Sequence, residues 1–249
     1  MDTTKRIDIV YWITATEGNP NGDPMRHNRP RIDPHTGEGL ISDVCIKRVI
    51  RDYAERRGQK LFIARDGVPL SEKIKMARAE AGVVKGKDRK DVDKAANVLA
   101  KMFWDVRVFG AVASTGKGDD AGGAGSIRGP VQMTFARSLH PVHFSSHQLT
   151  RIASTTERDE GTMTTGEGKH IVRFAVYRGV ITYTPSAAAK TGMSEADLDL
   201  LLEGLRQGWH HVRSASRGLI EVPLIRVAQH ATEDGQVPQP KVIAAAAGG

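Results

Sequence analysis

The side chains able to do chemistry crowd into residues 18–51. Gly18-Asn-Pro-Asn-Gly-Asp-Pro24, Pro30-Arg-Ile-Asp33 and Ile41-Ser-Asp-Val-Cys-Ile-Lys-Arg48 bring amides, hydroxyls, carboxylates and guanidinium groups into one stretch. Ser42 opens a helix that carries Lys47, Arg48 and Arg51. A helix N-terminus flanked by cations suits phosphate. Lys47 and Arg51 are four apart and share a helix face, with Arg48 beside them. The alternative is a solvated basic face. Asn19, Asn21 and Arg26 either donate to phosphates and ribose hydroxyls or shape turns. Arg31 has Asp33 two residues away, a carboxylate able to hold its guanidinium in place.

A second chemistry has to be weighed against this one. Asp23, Asp33 and Asp43, with His27 and His35, supply carboxylates and imidazoles of the kind that hold Mg²⁺ in a nuclease. Two of these aspartates precede proline in turn-forming pairs, and Asp43 suits the first turn of a helix on charge alone. His210 and His211 are adjacent, so they point apart on a helix. A phosphate-binding P-loop is excluded at the glycine-rich stretch. Gly110 lies one residue too far from Gly116-Lys117, and position 118 is glycine rather than Ser or Thr. Cys45 shares a stripe with Ile41 and Val49, which reads as core rather than nucleophile.

The elements that must position these residues follow from periodicity. Residues 6–15 alternate, with Ile7, Ile9, Tyr11 and Ile13 on one face, a strand. Residues 16–40 form a long loop whose Asn-Pro, Asn-Gly and Asp-Pro pairs favour an ordered path. Ser42 caps a helix that Gly58 stops. Lys60–Arg65 reads as a short strand, and Ser71–Ala81 and Asp88–Trp104 as helices around the basic stretch Lys85–Lys90. Residues 110–129 hold seven glycines. Val131–Ala136 and Ile171–Thr184 read as strands, with Gly179 a turn or bulge. Residues 137–169 read as a polar excursion outside the core. Ser194 caps a helix to about Val212 with Leu198, Leu201, Leu202 and Leu205 buried, and Leu219–Val227 is a last strand. The stretch 230–249 reads as a low-complexity, mobile tail. The order fits an α+β, ferredoxin-like or RRM-like βαββαβ core with two insertions.

The 249 residues suffice for one large domain, and 39% are hydrophobic, enough for a core. A formal charge of +7 favours a polyanionic partner, most simply nucleic acid. The aromatic run of an RNA-stacking RRM is missing. One cysteine forms no internal disulfide, and no segment is apolar over a membrane-spanning length, so the expectation is a soluble, cytoplasmic protein.

Five blocks occur in order: Asn19–Pro24; Pro30-Arg31-x-Asp33; Gly37-x-Gly39-x-Ile41-Ser-Asp-Val-x-Ile-Lys-Arg48; Asp105-Val-Arg-Val-Phe-Gly110; and Gly125-Ser-Ile-Arg-Gly-Pro-Val-Gln132. Together they resemble the crRNA-binding backbone subunit of type I CRISPR Cascade complexes, closest to type I-C, in the RAMP superfamily. Arg213-Ser-Ala-Ser-Arg-Gly218 fits more weakly. The resemblance implies an RRM-like palm, helical fingers at about 66–105 and a thumb hairpin at 137–172. It implies copies stacked along one guide RNA, each thumb displacing a base, with target DNA pairing to the exposed guide and other Cascade subunits completing the complex. It adds Ser126, Arg128 and Gln132, and thumb residues Met163, Lys169 and His170, to the RNA-binding candidates. It implies no catalytic residue, metal or organic cofactor. Two rival readings are a target-RNA nuclease of the type III backbone kind and a general single-strand RNA-binding filament protein.

Overall fold

The computed structural model describes residues 1–83, 88–113, 123–150 and 165–248. The chain begins with β1 (Ile7–Gly18), then a small hairpin of β2 (Gly22–Asp23) and β3 (Arg29–Pro30), and β4 (Glu38–Ile41). Helix α1 (Asp43–Arg56) follows, then α2 (Leu70–Glu80), α3 (Arg89–Met102) and α4 (Trp104–Phe109). Next come β5 (Gly110–Ala113), β6 (Gly125–Arg128), β7 (Val131–Met133), β8 (Ala136–Pro141), β9 (Phe144–Thr150) and β10 (Thr165–Tyr183). The chain closes with α5 (Pro185–Thr191), α6 (Glu195–Gln207), β11 (Leu219–Gln229) and α7 (Gln239–Ala247).

The main sheet runs β11-β1-β10-β8-β4, with β7 and β9 also pairing to β10, and every pair is antiparallel. Strands β1, β7, β10 and β11 stand in the order 4-1-3-2 of a βαββαβ unit, with α1 after the first strand and α6 after the third. The architecture is therefore RRM-like. On one face Ile7, Ile9, Tyr11 and Ile13 of β1 are fully buried against Ile46, Val49 and Ile50 of α1 and Leu198, Leu201 and Leu205 of α6. Each such side chain contributes about 1.5–3 kcal/mol. The alternation in residues 6–15 thus reports a real buried face. The other face is not solvent: Asp8, Val10 and Trp12 are buried too.

The helical caps follow from local chemistry. Ser42 accepts from the Cys45 N–H and starts α1. Ser194 and Asp197 form a reciprocal capping box on α6. Pro223 lacks an N–H and sits on edge strand β11 where the register against β1 shifts between Trp12 and Thr14.

Several expectations are corrected. Lys60–Arg65 is no strand: the carboxylate of Asp105 takes the N–H groups of Phe62 and Ile63 at 2.7 and 3.1 Å, and Lys73 Nζ donates to the carbonyls of Leu61 and Phe62. Those partners replace a sheet neighbour. The helix read over Asp88–Trp104 breaks at Phe103, which is extended, and the Trp104 N–H turns to the Lys60 carbonyl. Helices α2 and α3 share a second buried cluster with Ile74, Ala77, Leu99 and Phe103 at its centre. Residues 137–141 are not an excursion: they form most of β8, inside the sheet, with Ser138 buried. Only β9 and the start of β10 project as a hairpin, and residues 151–164, with Met163, lie outside the described residues. Gly179 is neither turn nor bulge. It lies opposite Tyr11 within the ladder, and a Cβ there would stand 2.2 Å from the Tyr11 hydroxyl. The stretch read as a mobile tail carries α7, whose Gln239 donates to Asp8 and Thr182. Among the described residues no helix is long and apolar enough to cross a membrane.

Candidate nucleic-acid interface

The long loop is ordered by contacts with residues 213–218. The Asn19 N–H donates to the Ser216 carbonyl at 2.8 Å, and Arg217 Nη1 to the Pro20 carbonyl at 2.6 Å. Gly18 and Gly218 cross so closely that a Cβ on Gly218, where φ is +62°, would lie 2.2 Å from the Glu17 carbonyl oxygen. Asn21 Oδ1 then accepts from both the N–H and the hydroxyl of Ser42, each at 2.9 Å, fixing the loop on the start of α1.

These contacts build an open groove of about 1060 Å³ between the hairpin, the outer face of α1 and residues 211–217. Asn21, Arg31, Ser42 and Arg48 line it, together with Arg56, Arg65, Arg213 and Arg217. Six arginines face two carboxylates, Asp52 and Glu55. Val44, two-thirds exposed, adds apolar surface. Guanidinium groups beside apolar patches suit a chain of alternating phosphates and bases. Arg48 is held by Asp52 at 2.5 Å and by the Ile63 carbonyl at 2.8 Å.

The remaining candidates do not converge there. Arg51 is buried and bonds Asp105 at 2.9 Å, its guanidinium over the Phe109 ring. Burial lowers its pKa and Asp105 opposes that shift. Lys47 pairs with Asp43 at 3.0 Å and also lies over Phe109. The four-residue spacing puts these two cations on one face, but that face turns toward α4. Arg31 pairs with Asp23 at 3.7 Å rather than with Asp33. Asp33 instead holds Arg137 at 3.0 Å and is kept below the ordinary carboxylate range by the His35 N–H first and Arg137 second. Asn19 donates to the Asn28 carbonyl and shapes the hairpin. Arg26 is exposed on the hairpin turn. Ser126 and Arg128 on β6 line a separate depression beside α3 and α5, and Gln132 bonds back to the Gly129 carbonyl. Lys169 and His170 lie on the β9–β10 hairpin, with His170 bonded to Ser146 and edge-on to Phe144.

The aspartates of the metal reading each hold their own partner. Asp23 caps a short 3₁₀ turn, Asp33 takes Arg137 and Asp43 takes Lys47. Among the described residues no three His, Cys, Asp or Glu side chains cluster as metal ligands. Sequence reading missed Arg56, Arg65 and the inward role of Arg217. Only the family-like spacing of Arg213–Gly218 pointed to that wall.

The fold and groove define an RRM-like protein with a strongly cationic cleft. A family model described as "CRISPR-associated protein Cas7" matches residues 5–245, and the chain belongs to that family. A curated relative, the CRISPR-associated protein Cas7 of Haloferax volcanii, is 28% identical over 215 residues. That alignment covers 81% of this chain and 63% of the relative, so the chain spans under two-thirds of that protein's length. Among solved structures, a chain of a CRISPR RNA-guided surveillance complex, pre-nicking, is similar with a TM-score of 0.53 and 16% identity, covering 89% of this chain and 77% of that one. A chain of another CRISPR RNA-guided surveillance complex gives a TM-score of 0.50 and 16% identity, covering 89% and 68%. At that identity the likeness is one of fold.

Proposed function

We propose that this chain is a non-catalytic subunit that binds the guide RNA of a type I CRISPR surveillance complex, of subtype I-C, through the arginine-lined groove. Several copies line one guide, other Cascade subunits complete the assembly, and the guide is presented for pairing with target DNA. The observation that carries this reading is the convergence of three blocks of the family-like sequence, 19–24, 41–48 and 213–218, on one groove with six arginines. Guanidinium contacts to phosphate are independent of sequence, so pairing rather than the protein supplies specificity.

The test is expression of the chain with a matching repeat-spacer transcript, followed by native mass and the 260/280 nm ratio. A large particle protecting RNA of discrete length is the expected result. An RNA-free monomer, unchanged when partner subunits are co-expressed, overturns the reading. Cleavage of a complementary RNA on adding Mg²⁺ would replace it with the nuclease reading.

A further inference from the structure

One large apolar side chain stands apart from the rest. Met25 is 91% exposed, more than any other large hydrophobic residue among those described. It sits at the turn of the β2–β3 hairpin, between Asp23 and Asn28, with exposed Arg26 next to it and exposed Arg29 at the start of β3. The turn is not slack. The Met25 N–H donates to Asp23 Oδ1 at 3.1 Å, the Asn28 N–H to the Asp23 carbonyl at 2.9 Å, and Asn19 Nδ2 to the Asn28 carbonyl at 2.6 Å. His27 and Asn28 both adopt positive φ, 52° and 56°, a conformation kept only where surroundings impose it. Gly22 of β2 and Pro24, the residue before Met25, line the arginine groove. An ordered turn thus holds an exposed, polarisable thioether next in sequence to the groove-lining Pro24, with two exposed arginines close behind it in the chain.

We propose that Met25 is a base-contacting residue: its side chain packs on the face of a nucleobase of single-stranded RNA lying in the groove, while Arg26 and Arg29 take the flanking phosphates. The proposal rests on the groove's binding RNA and adds which atoms meet a base. Apolar side chains pack on or wedge between bases because every base has an unhydrated face, whatever its sequence. Two exposed cations on the same short hairpin favour a nucleic acid over an apolar protein surface, which would leave both charges unmatched.

The probe is a single-stranded RNA carrying 2-aminopurine at successive positions, bound to the full chain. At one position or one repeating set of positions, wild type changes the 2-aminopurine fluorescence. Met25→Ala abolishes that change and weakens binding about threefold to tenfold, Met25→Leu restores both, and the slope of affinity against salt stays as in wild type. Arg213→Ala does the reverse, lowering the salt slope and leaving the fluorescence change of the bound RNA. An unaltered fluorescence change in Met25→Ala overturns the proposal while leaving the groove reading intact. Loss of self-association in Met25→Ala with RNA absent assigns the turn to a neighbouring copy and also overturns it. Failure of wild type to bind the RNA in any assembly removes the groove reading and the proposal together. Unchanged melting temperatures for both Met25 variants show that neither result comes from unfolding.

Discussion

Helix α1 carries cations on two faces, and the two have opposite fates. Toward α4, Lys47 and Arg51 are spent inside the protein on Asp43, Asp105 and the Phe109 ring. Toward the groove, Arg48 is held by Asp52 and the Ile63 carbonyl at its edge, and Arg56 lies exposed beside Arg213. Both faces carry cations within the same few turns of helix. What separates them is whether a carboxylate backed by a folded element stands opposite. Asp105 is such a carboxylate, since it also receives the Phe62 and Ile63 N–H groups. An exposed charge such as Arg56 is open to a ligand, and one held by a carboxylate of its own helix, as Arg48 is by Asp52, is open only in part.

The largest effect should come from breaking the inner face. Asp105→Ala strands the Arg51 guanidinium and two backbone N–H groups, and should cost about 5 kcal/mol, measured by denaturant unfolding. Arg51→Ala leaves Asp105 its two backbone donors and should cost about 3 kcal/mol. The folded fraction of Arg51→Ala should bind RNA with the wild-type salt slope. A shallower slope there would erase the distinction between the faces. Gly218→Ala forces a Cβ into the Glu17 carbonyl at positive φ and should cost about 1–3 kcal/mol, with groove binding lost in parallel. On the outer face, Arg213→Ala should leave stability within about 0.5 kcal/mol. It should make the log–log salt dependence of RNA binding shallower by about 0.7, the value for one single-strand phosphate contact.

The smallest effect sharpens the comparison from the far end of the sheet. Burial would raise the pKa of Asp8, but bonds from His230, Gln239 and Thr182 and the charge of Arg6 outweigh it and leave the carboxyl below its ordinary value. A lowered folded-state pKa gives stability that is complete above the unfolded value and lost as pH falls through the folded one. Unfolding monitored below pH ~4 should therefore lose a contribution in wild type that Asp8→Asn lacks.

The elements legible in sequence were those fixed by local rules. The alternation of β1, the Ser42 cap, the Ser194 cap and the Leu198–Leu205 stripe each depend on neighbours a few residues away. The elements that escaped depend on distant partners. Residues 60–65 have a strand's composition, yet Asp105 claims their amides from more than forty positions on. Arg31 has an aspartate two residues away and pairs with Asp23 across the hairpin instead. For the site, the blocks 19–24 and 41–48 were readable as a group. Which of their side chains face outward was not, because helix periodicity gives a shared face without saying what that face meets. Asp105-Val-Arg-Val-Phe-Gly110 read as part of an RNA-binding family pattern, and its charged residues act as struts. Asp105 braces Arg51, and Arg107 forks onto Asp197 with two bonds of 2.9 Å.

The link from Arg217 to the Pro20 carbonyl spans 197 positions, and β1, an early strand, is flanked on one side by β11, a late one. During synthesis the loop that forms one wall of the groove emerges long before the wall that fixes it. A nascent chain carries Asn21, Ser42 and Arg48 with no groove to hold them. The groove is therefore completed late and all at once, and a ribosome-bound fragment carries a basic segment rather than a finished cleft.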